Sequence, residues 1–118
     1  MNAIYNLYKV TDKNTYKDFF IKFINYYINE SGTFVNLKKS SSEGYTTTEL
    51  DSVCESKILF DAFAETNDSR YMTGIEYTYK NLINSSNLPI CENGINFSHK
   101  STYEGQIWMD GTYMYMPF

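Results

Sequence analysis

The feature that most constrains the fold is a repeat. Thr11-Asp12-Lys13-Asn14-Thr15-Tyr16 and Thr66-Asn67-Asp68-Ser69-Arg70-Tyr71 are polar turn segments of one kind, 55 residues apart. Each stands between two stretches of helical periodicity. Before the first turn, Ile4, Leu7, Tyr8 and Val10 suit the last turns of a helix, and after it Tyr16, Phe19, Phe20, Phe23, Ile24, Tyr27 and Ile28 hold an apolar face until Ser31-Gly32. Leu50, Val53, Ile58, Leu59, Ala62 and Phe63 form a stripe before the second turn. Tyr71, Ile75, Thr78, Tyr79, Leu82 and Ile83 form another after it, stopped by Asn84-Ser85-Ser86-Asn87 and Pro89. Asp or Asn in such turns can accept hydrogen bonds from the free N–H groups that open the next helix. Each unit is therefore a helical hairpin, and a lone hairpin of this kind cannot bury both of its helices.

The hairpins are joined by long polar connections, residues 33–48 and 86–105, each with a short alternating segment: Thr33-Phe34-Val35-Asn36-Leu37 and Ile95-Asn96-Phe97-Ser98-His99. These read as β-hairpin-like pieces in an otherwise all-α chain. Helices that follow the long connections run parallel, so their N-termini gather at one end of the stack. Asp51 and Asp110, each placed at such an N-terminus, are expected to share that end.

At 118 residues the chain is sized for one domain, 1–118. Twelve Tyr and eight Phe supply a core, although Tyr-rich surfaces also line sugar and peptide clefts. A formal net charge of -4 without a Lys/Arg stripe leaves no electrostatic footprint for nucleic acid. No apolar run is long enough to span a membrane. The start, Met1-Asn2-Ala3-Ile4-Tyr5-Asn6, has neither a basic nor an apolar leader region, so a cytoplasmic protein is expected. Cys54 and Cys91 lie 37 residues apart with no His clustered near them, which points to buried free thiols rather than a metal site.

The stretch from Phe97 to Phe118 holds the only His, the only Trp and an Asp-Gly step. We expect Trp108 and Asp110 to open a helix whose first turn faces a ligand pocket. The spacing alone fits plainer roles as well: Asp51 and Asp110 as helix caps, His99 as a loop residue, Trp108 as core.

With those residues in view, the sequence resembles the unsaturated rhamnogalacturonyl hydrolases, six-hairpin glycosidases related to the unsaturated glucuronyl hydrolases. Three segments in family order carry the resemblance. Leu50-Asp51-Ser52-Val53, followed by Thr66-x-Asp68-x-x-Tyr71, is similar to the family's Leu-Asp opening and its Thr-Gly-Asp-x-x-Tyr turn. Phe97-x-His99-Lys100-x-x-Tyr103 resembles its aromatic-x-His loop. Gln106-Ile107-Trp108-Met109-Asp110-Gly111-x-Tyr113 resembles its Trp-Leu-Asp-Gly helix and is the most specific of the three. The chain departs from the pattern at Cys54-Glu55-Ser56, where a Gly is usual, and at Gly105, where relatives commonly carry His.

The resemblance implies an (α/α)6 toroid of which this chain is an incomplete portion, since the closed ring needs helices before residue 1 and after Phe118. It implies a substrate oligosaccharide with a 4,5-unsaturated galacturonate at its non-reducing end, linked to rhamnose, as pectin lyases leave it. Such enzymes hydrate the vinyl ether instead of attacking the anomeric carbon. Asp110 falls at the family's catalytic acid/base, and Asp51 is the candidate second carboxylate. A helix N-terminus favours an ionised carboxylate, so a proton donor there needs an opposing influence, and burial against Trp108 or a neighbouring carboxylate are the two at hand. His99, Lys100, Tyr103, Gln106 and Trp108 fall at substrate-binding positions, with Trp108 offering a flat face to a sugar ring. No cofactor is implied. The competing reading is a non-catalytic truncated fragment that serves only as a sugar-binding or interaction module, paired with the missing remainder of the toroid or with itself. On either reading the 118 residues alone are expected to be inactive.

Overall fold

Helix α1 covers Asn2–Thr11 and α2 covers Asn14–Tyr27, so the chain reverses in two residues. The computed structural model describes residues 1–35, 50, 54–83, 103, 106 and 108–117. Asp12 makes the reversal by adopting the left-handed conformation, φ 54°, and its N–H donates to the Tyr8 carbonyl at 2.7 Å. Asp and Asn tolerate this region better than other side chains that carry a Cβ. Neither Asp12 nor Asn14 caps α2, contrary to expectation. Asp12 is already used as the stop of α1, Asn14 lies inside α2, and the N-cap is Lys13, which makes no side-chain capping bond.

The second reversal repeats the first almost atom for atom. Helix α3, Ile58–Thr66, follows a short 3-10 turn at Glu55–Lys57, and α4 covers Ser69–Ile83. Asn67 takes φ 55°, and its N–H donates to the Phe63 carbonyl at 2.8 Å. Thr11 and Thr66 each donate their hydroxyl to the carbonyl four residues back at 2.7 Å. Tyr16 and Tyr71 each donate their N–H three residues back, to Lys13 and Asp68, at 3.0 and 3.1 Å. The sequence repeat is thus a structural one.

Helix α2 ends at Tyr27, one turn before the Ser31-Gly32 stop expected from the sequence. Asn29 is the reason. Its side-chain carbonyl accepts the N–H of Ser31 at 3.0 Å and of Thr33 at 2.9 Å, which offers the backbone a turn in place of helix. Ile28 is then extended and forms an isolated antiparallel bridge with Phe34, and the Val35 N–H donates to the Tyr27 carbonyl at 2.8 Å; of the expected alternating segment, residues 33–35 lie among the described residues. Gly32 closes this turn at φ 77° against the start of α4. A Cβ there would lie 2.7 Å from both the Arg70 carbonyl oxygen and Thr73 Cβ, so only glycine fits.

The contacts fall into two units. The first holds Met1–Leu37 and Ile58–Gly74, and its core is Phe20, Ile24 and Ile28 with Leu59, Ala62 and Tyr71. Tyr5 of α1 stacks on Phe20 at 5.0 Å. The apolar face of α2 is wider than its partners cover. Phe19, expected in the stripe, is 54% exposed, while the line Phe20, Ile24, Ile28 is buried. The second unit holds Lys38–Lys57 and Ile75–Phe118, and Leu50, Ser56, Ile75 and Thr78 are buried in it. Tyr79, placed on the buried side by its spacing, is exposed. Its last helix, α5, covers Met109–Tyr115. Cys54 is a free thiol and only half-buried; Val53, Cys91 and the alternating segment at 95–99 lie outside the described residues. Among the described residues no helix is long and apolar enough to cross a membrane.

Candidate functional site

The start of α5 carries the candidate site. Trp108 is its N-cap in extended conformation, φ -102° and ψ 143°, and Asp110 lies in the first turn. The expected helix opening is therefore present. The first amides of a helix have no partner within it. One of them is taken up locally, since the Asp110 carboxylate accepts the Gly111 N–H at 2.9 Å. Gly111 is buried.

Upstream, the chain makes a turn in which the Gln106 N–H donates to the Tyr103 carbonyl at 3.0 Å. That turn brings the Tyr103 ring onto the Trp108 indole, with centroids 5.3 Å apart and planes 16° from parallel. The indole N–H donates to the Gln106 side-chain carbonyl at 3.3 Å. Stacking and this hydrogen bond fix the indole in both tilt and direction. Three residues expected to contact substrate, Tyr103, Gln106 and Trp108, are thus brought together two residues before Asp110.

Two open questions are answered. Trp108 is 42% exposed, so it is not a core residue. Asp110 is exposed as well, and the burial against Trp108 anticipated for a proton donor is not realised. Asp51, His99 and Lys100 lie outside the described residues, as does the expected meeting of Asp51 with Asp110.

Sequence reasoning missed Lys57. Its ammonium donates to the Tyr113 carbonyl in the last turn of α5 at 3.3 Å and sits 3.1 Å from the centroid of the Tyr113 ring. Helical periodicity relates residues within one helix, and Lys57 and Tyr113 belong to different elements.

Several charged groups of the first unit hold its helices together. The Glu65 carboxylate of α3 accepts from Lys9 at 3.1 Å, from Lys17 at 3.2 Å and from the Tyr5 hydroxyl at 3.0 Å. Burial works against its charge, yet the hydrogen bonds from Lys9, Lys17 and Tyr5 outweigh it and hold the carboxyl below the usual range. Tyr5 is pushed up, first by burial and then by its bond to Glu65. A groove of about 450 Å³ beside this cluster is lined by Lys17, Asp18, Ile21, Lys22, Asn25 and Thr66. It contains none of the candidate site residues.

Repeated α/α hairpins, with a stacked indole and an exposed carboxylate at one helix start, place the protein in the helical-hairpin class. The chain belongs to Glycosyl Hydrolase Family 88, whose sequence model matches residues 1–118. A similar solved structure is a glycoside hydrolase from family 105 of C. acetobutylicum ATCC 824, an (α/α)6 toroid, with 32% identity over 96% of this chain and a TM-score of 0.79. The chain spans 29% of the length of that protein. No curated protein matches the chain closely enough to count as a relative. The all-α hairpin fold expected from the sequence stands on this match.

Proposed function

We propose that the chain is a working part of a glycoside hydrolase that removes a 4,5-unsaturated galacturonate from rhamnose-containing pectin oligosaccharides. The observation that carries this reading is the cluster of Tyr103, Gln106 and Trp108 at the start of the helix that bears Asp110. A half-exposed indole backed by a second ring is a rigid flat platform, and an apolar sugar face stacks on such a platform while its hydroxyls stay hydrogen-bonded.

In this reading Asp110, in its acid form, gives a proton to C4, and the C4=C5 electron pair forms the new C–H bond. The oxygen of water bonds to C5 and loses its proton to the Asp110 carboxylate, which restores the acid. The hemiketal at C5 opens to a ketone as the ring C5–O bond breaks, which leaves a hydroxyl on C1; that C1 hemiacetal then collapses to an aldehyde as its bond to the leaving sugar breaks, and the hydroxyl proton passes to the departing alcohol. Asp51 is the second carboxylate. His99, Lys100 and Tyr103 donate to the uronate or its neighbour.

The test is the loss of ultraviolet absorbance from an unsaturated galacturonyl-rhamnose disaccharide, comparing residues 1–118 completed with the remaining hairpins of a toroid with the same protein carrying Asp110→Asn. Loss with the parent and none with the variant is the expected result. Equal rates in the two would remove Asp110 from the chemistry, and release of rhamnose from the saturated disaccharide at the same rate would remove the hydration mechanism. A second reading, a sugar-binding part without turnover, draws on the share of the neighbour's length that the chain spans, 29%. Binding of the disaccharide that is lost with Trp108→Ala, with no fall in absorbance, would favour it.

A further inference from the structure

Helix α5 has seven residues, and a helix this short does not hold itself in water. Its start carries Trp108 and Asp110, so the accuracy of the candidate site depends on what fixes the rest of it. The last turn has no basic residue of its own to meet the negative end of the helix dipole. Lys57 supplies one from another part of the chain. Its ammonium is bonded to the Tyr113 carbonyl at 3.3 Å and lies on the face of the Tyr113 ring at 3.1 Å. One cation thus meets two groups of one residue, an arrangement that fixes the helix end in both rotation and height.

Lys57 is itself held. It ends the 3-10 turn Glu55–Lys57, in which Ser56 is buried, and Leu50 just upstream is buried too. The turn at Glu55–Lys57 is thereby tied to the helix that carries Asp110. We propose that Lys57 is a positioning residue that locks α5 and so holds Trp108 and Asp110 in place. Its consequence for turnover rests on the function proposed above; its effect on α5 does not.

The two parts separate experimentally because Trp108 is the only tryptophan and reports the start of α5 directly. In the full chain, Lys57→Met keeps the aliphatic stem and removes the charge and the donor, while Lys57→Arg keeps both. Lys57→Met is expected to raise the population in which α5 is released by roughly fivefold, the amount that a partly exposed cation–π contact supplies. The readouts are stronger acrylamide quenching of Trp108 fluorescence and a weaker near-ultraviolet dichroism band from the Tyr103–Trp108 stack. Lys57→Arg restores both. Tyr113→Leu removes the ring and leaves the carbonyl, so it tests the same tie if Lys57→Met does not fold, and the double variant is expected to be no worse than Lys57→Met alone. Unchanged Trp108 quenching in both single variants, or failure of Arg to rescue, overturns the proposal. Asp110→Asn tests the other reading: in the completed toroid it is expected to abolish turnover, and Trp108 quenching is expected to stay unchanged, so retained turnover would sink the chemistry and leave the lock intact.

Discussion

The two hairpin turns, Thr11–Tyr16 and Thr66–Tyr71, have the same backbone and different jobs. In both, a Thr hydroxyl closes the preceding helix and a left-handed Asp or Asn reverses the chain. They part at the next residue. Lys13 makes no capping bond, whereas the Asp68 carboxylate accepts the Arg70 N–H at 3.0 Å and grips the Arg70 guanidinium through both oxygens, Oδ1 from Nε at 3.1 Å and Oδ2 from Nη2 at 2.6 Å. Arg70 then reaches Glu30 at 3.2 Å and Asn25 at 3.4 Å, and the Tyr71 hydroxyl donates to the same Asn25 at 2.8 Å. The second turn is therefore a junction that ties α4 to α2 and to the loop after it, while the first only reverses the chain. A backbone motif can be repeated at little cost, and the side chain at the N-cap decides whether it also carries tertiary structure.

The largest effect that would break this junction is expected at Gly32, which the start of α4 presses against. Gly32→Ala puts a Cβ 2.7 Å from the Arg70 carbonyl oxygen at a φ of 77°. The neighbouring atom is backbone and cannot swing aside, so a loss of about 3 kcal/mol is expected. The urea midpoint of the full chain measures it. A midpoint within error of the parent would show that the loop does not pack on the second turn.

A smaller effect tests the N-cap difference itself. Asp68→Ala removes the cap and leaves a partly buried guanidinium without its nearest anion, and about 1–2 kcal/mol is expected. Lys13→Ala at the matching position is expected to cost almost nothing, and equal losses at the two positions would end the distinction between the turns. The distinction also depends on pH. The Arg70 side-chain bonds, with the Arg70 N–H, hold the Asp68 carboxyl below its ordinary value. A group depressed in the folded state stabilises above its unfolded value and loses that contribution as pH falls through the folded one. The gap between parent and Asp68→Ala should therefore be full at neutral pH and close as acid carries Asp68 from the ordinary carboxylate range to below it.

The turns were legible in the sequence because Thr, Asx and Tyr each act locally there, and local chemistry recurs at the same spacing. Which Asx residue caps was not legible. Asp12 and Asn14 both qualify by type, and only the demand for a left-handed residue at the end of α1 removes Asp12 from that role. The early end of α2 was hidden for a similar reason: Ser31-Gly32 looks like a helix stop, but the Asn29 side chain competes for the backbone first. The exposure of Phe19 shows that periodicity gives a face and not how much of it a partner covers. At the candidate site, Trp108 and Asp110 were readable as a helix start. Tyr103 and Gln106 came into view only through family resemblance, and the exposure of Asp110 depends on surroundings that no spacing encodes. Lys57 and Tyr113 meet through tertiary structure alone, 56 residues apart.

The smallest effect sharpens the comparison at Asp61, which the 55-residue repeat matches with Asn6 of the first hairpin. The Asp61 carboxyl is pushed up, by burial first and by the charge of Glu65 second, with Lys9 offsetting only part of it. For a carboxyl raised in the folded state the linkage runs opposite to that of Asp68: the charge costs stability above the folded value, and the cost is relieved as pH falls through it. Asp61→Asn installs the residue of the first hairpin, keeps the shape and removes the charge beside Glu65. The expected gain is a few tenths of a kcal/mol at neutral pH, since the side chain is partly solvated and screened. It should vanish in acid, where the parent carboxyl is protonated as well. Urea midpoints of parent and variant at neutral and acid pH measure it, and a gain that persists unchanged in acid would mean that packing, not charge, separates the two hairpins at this position.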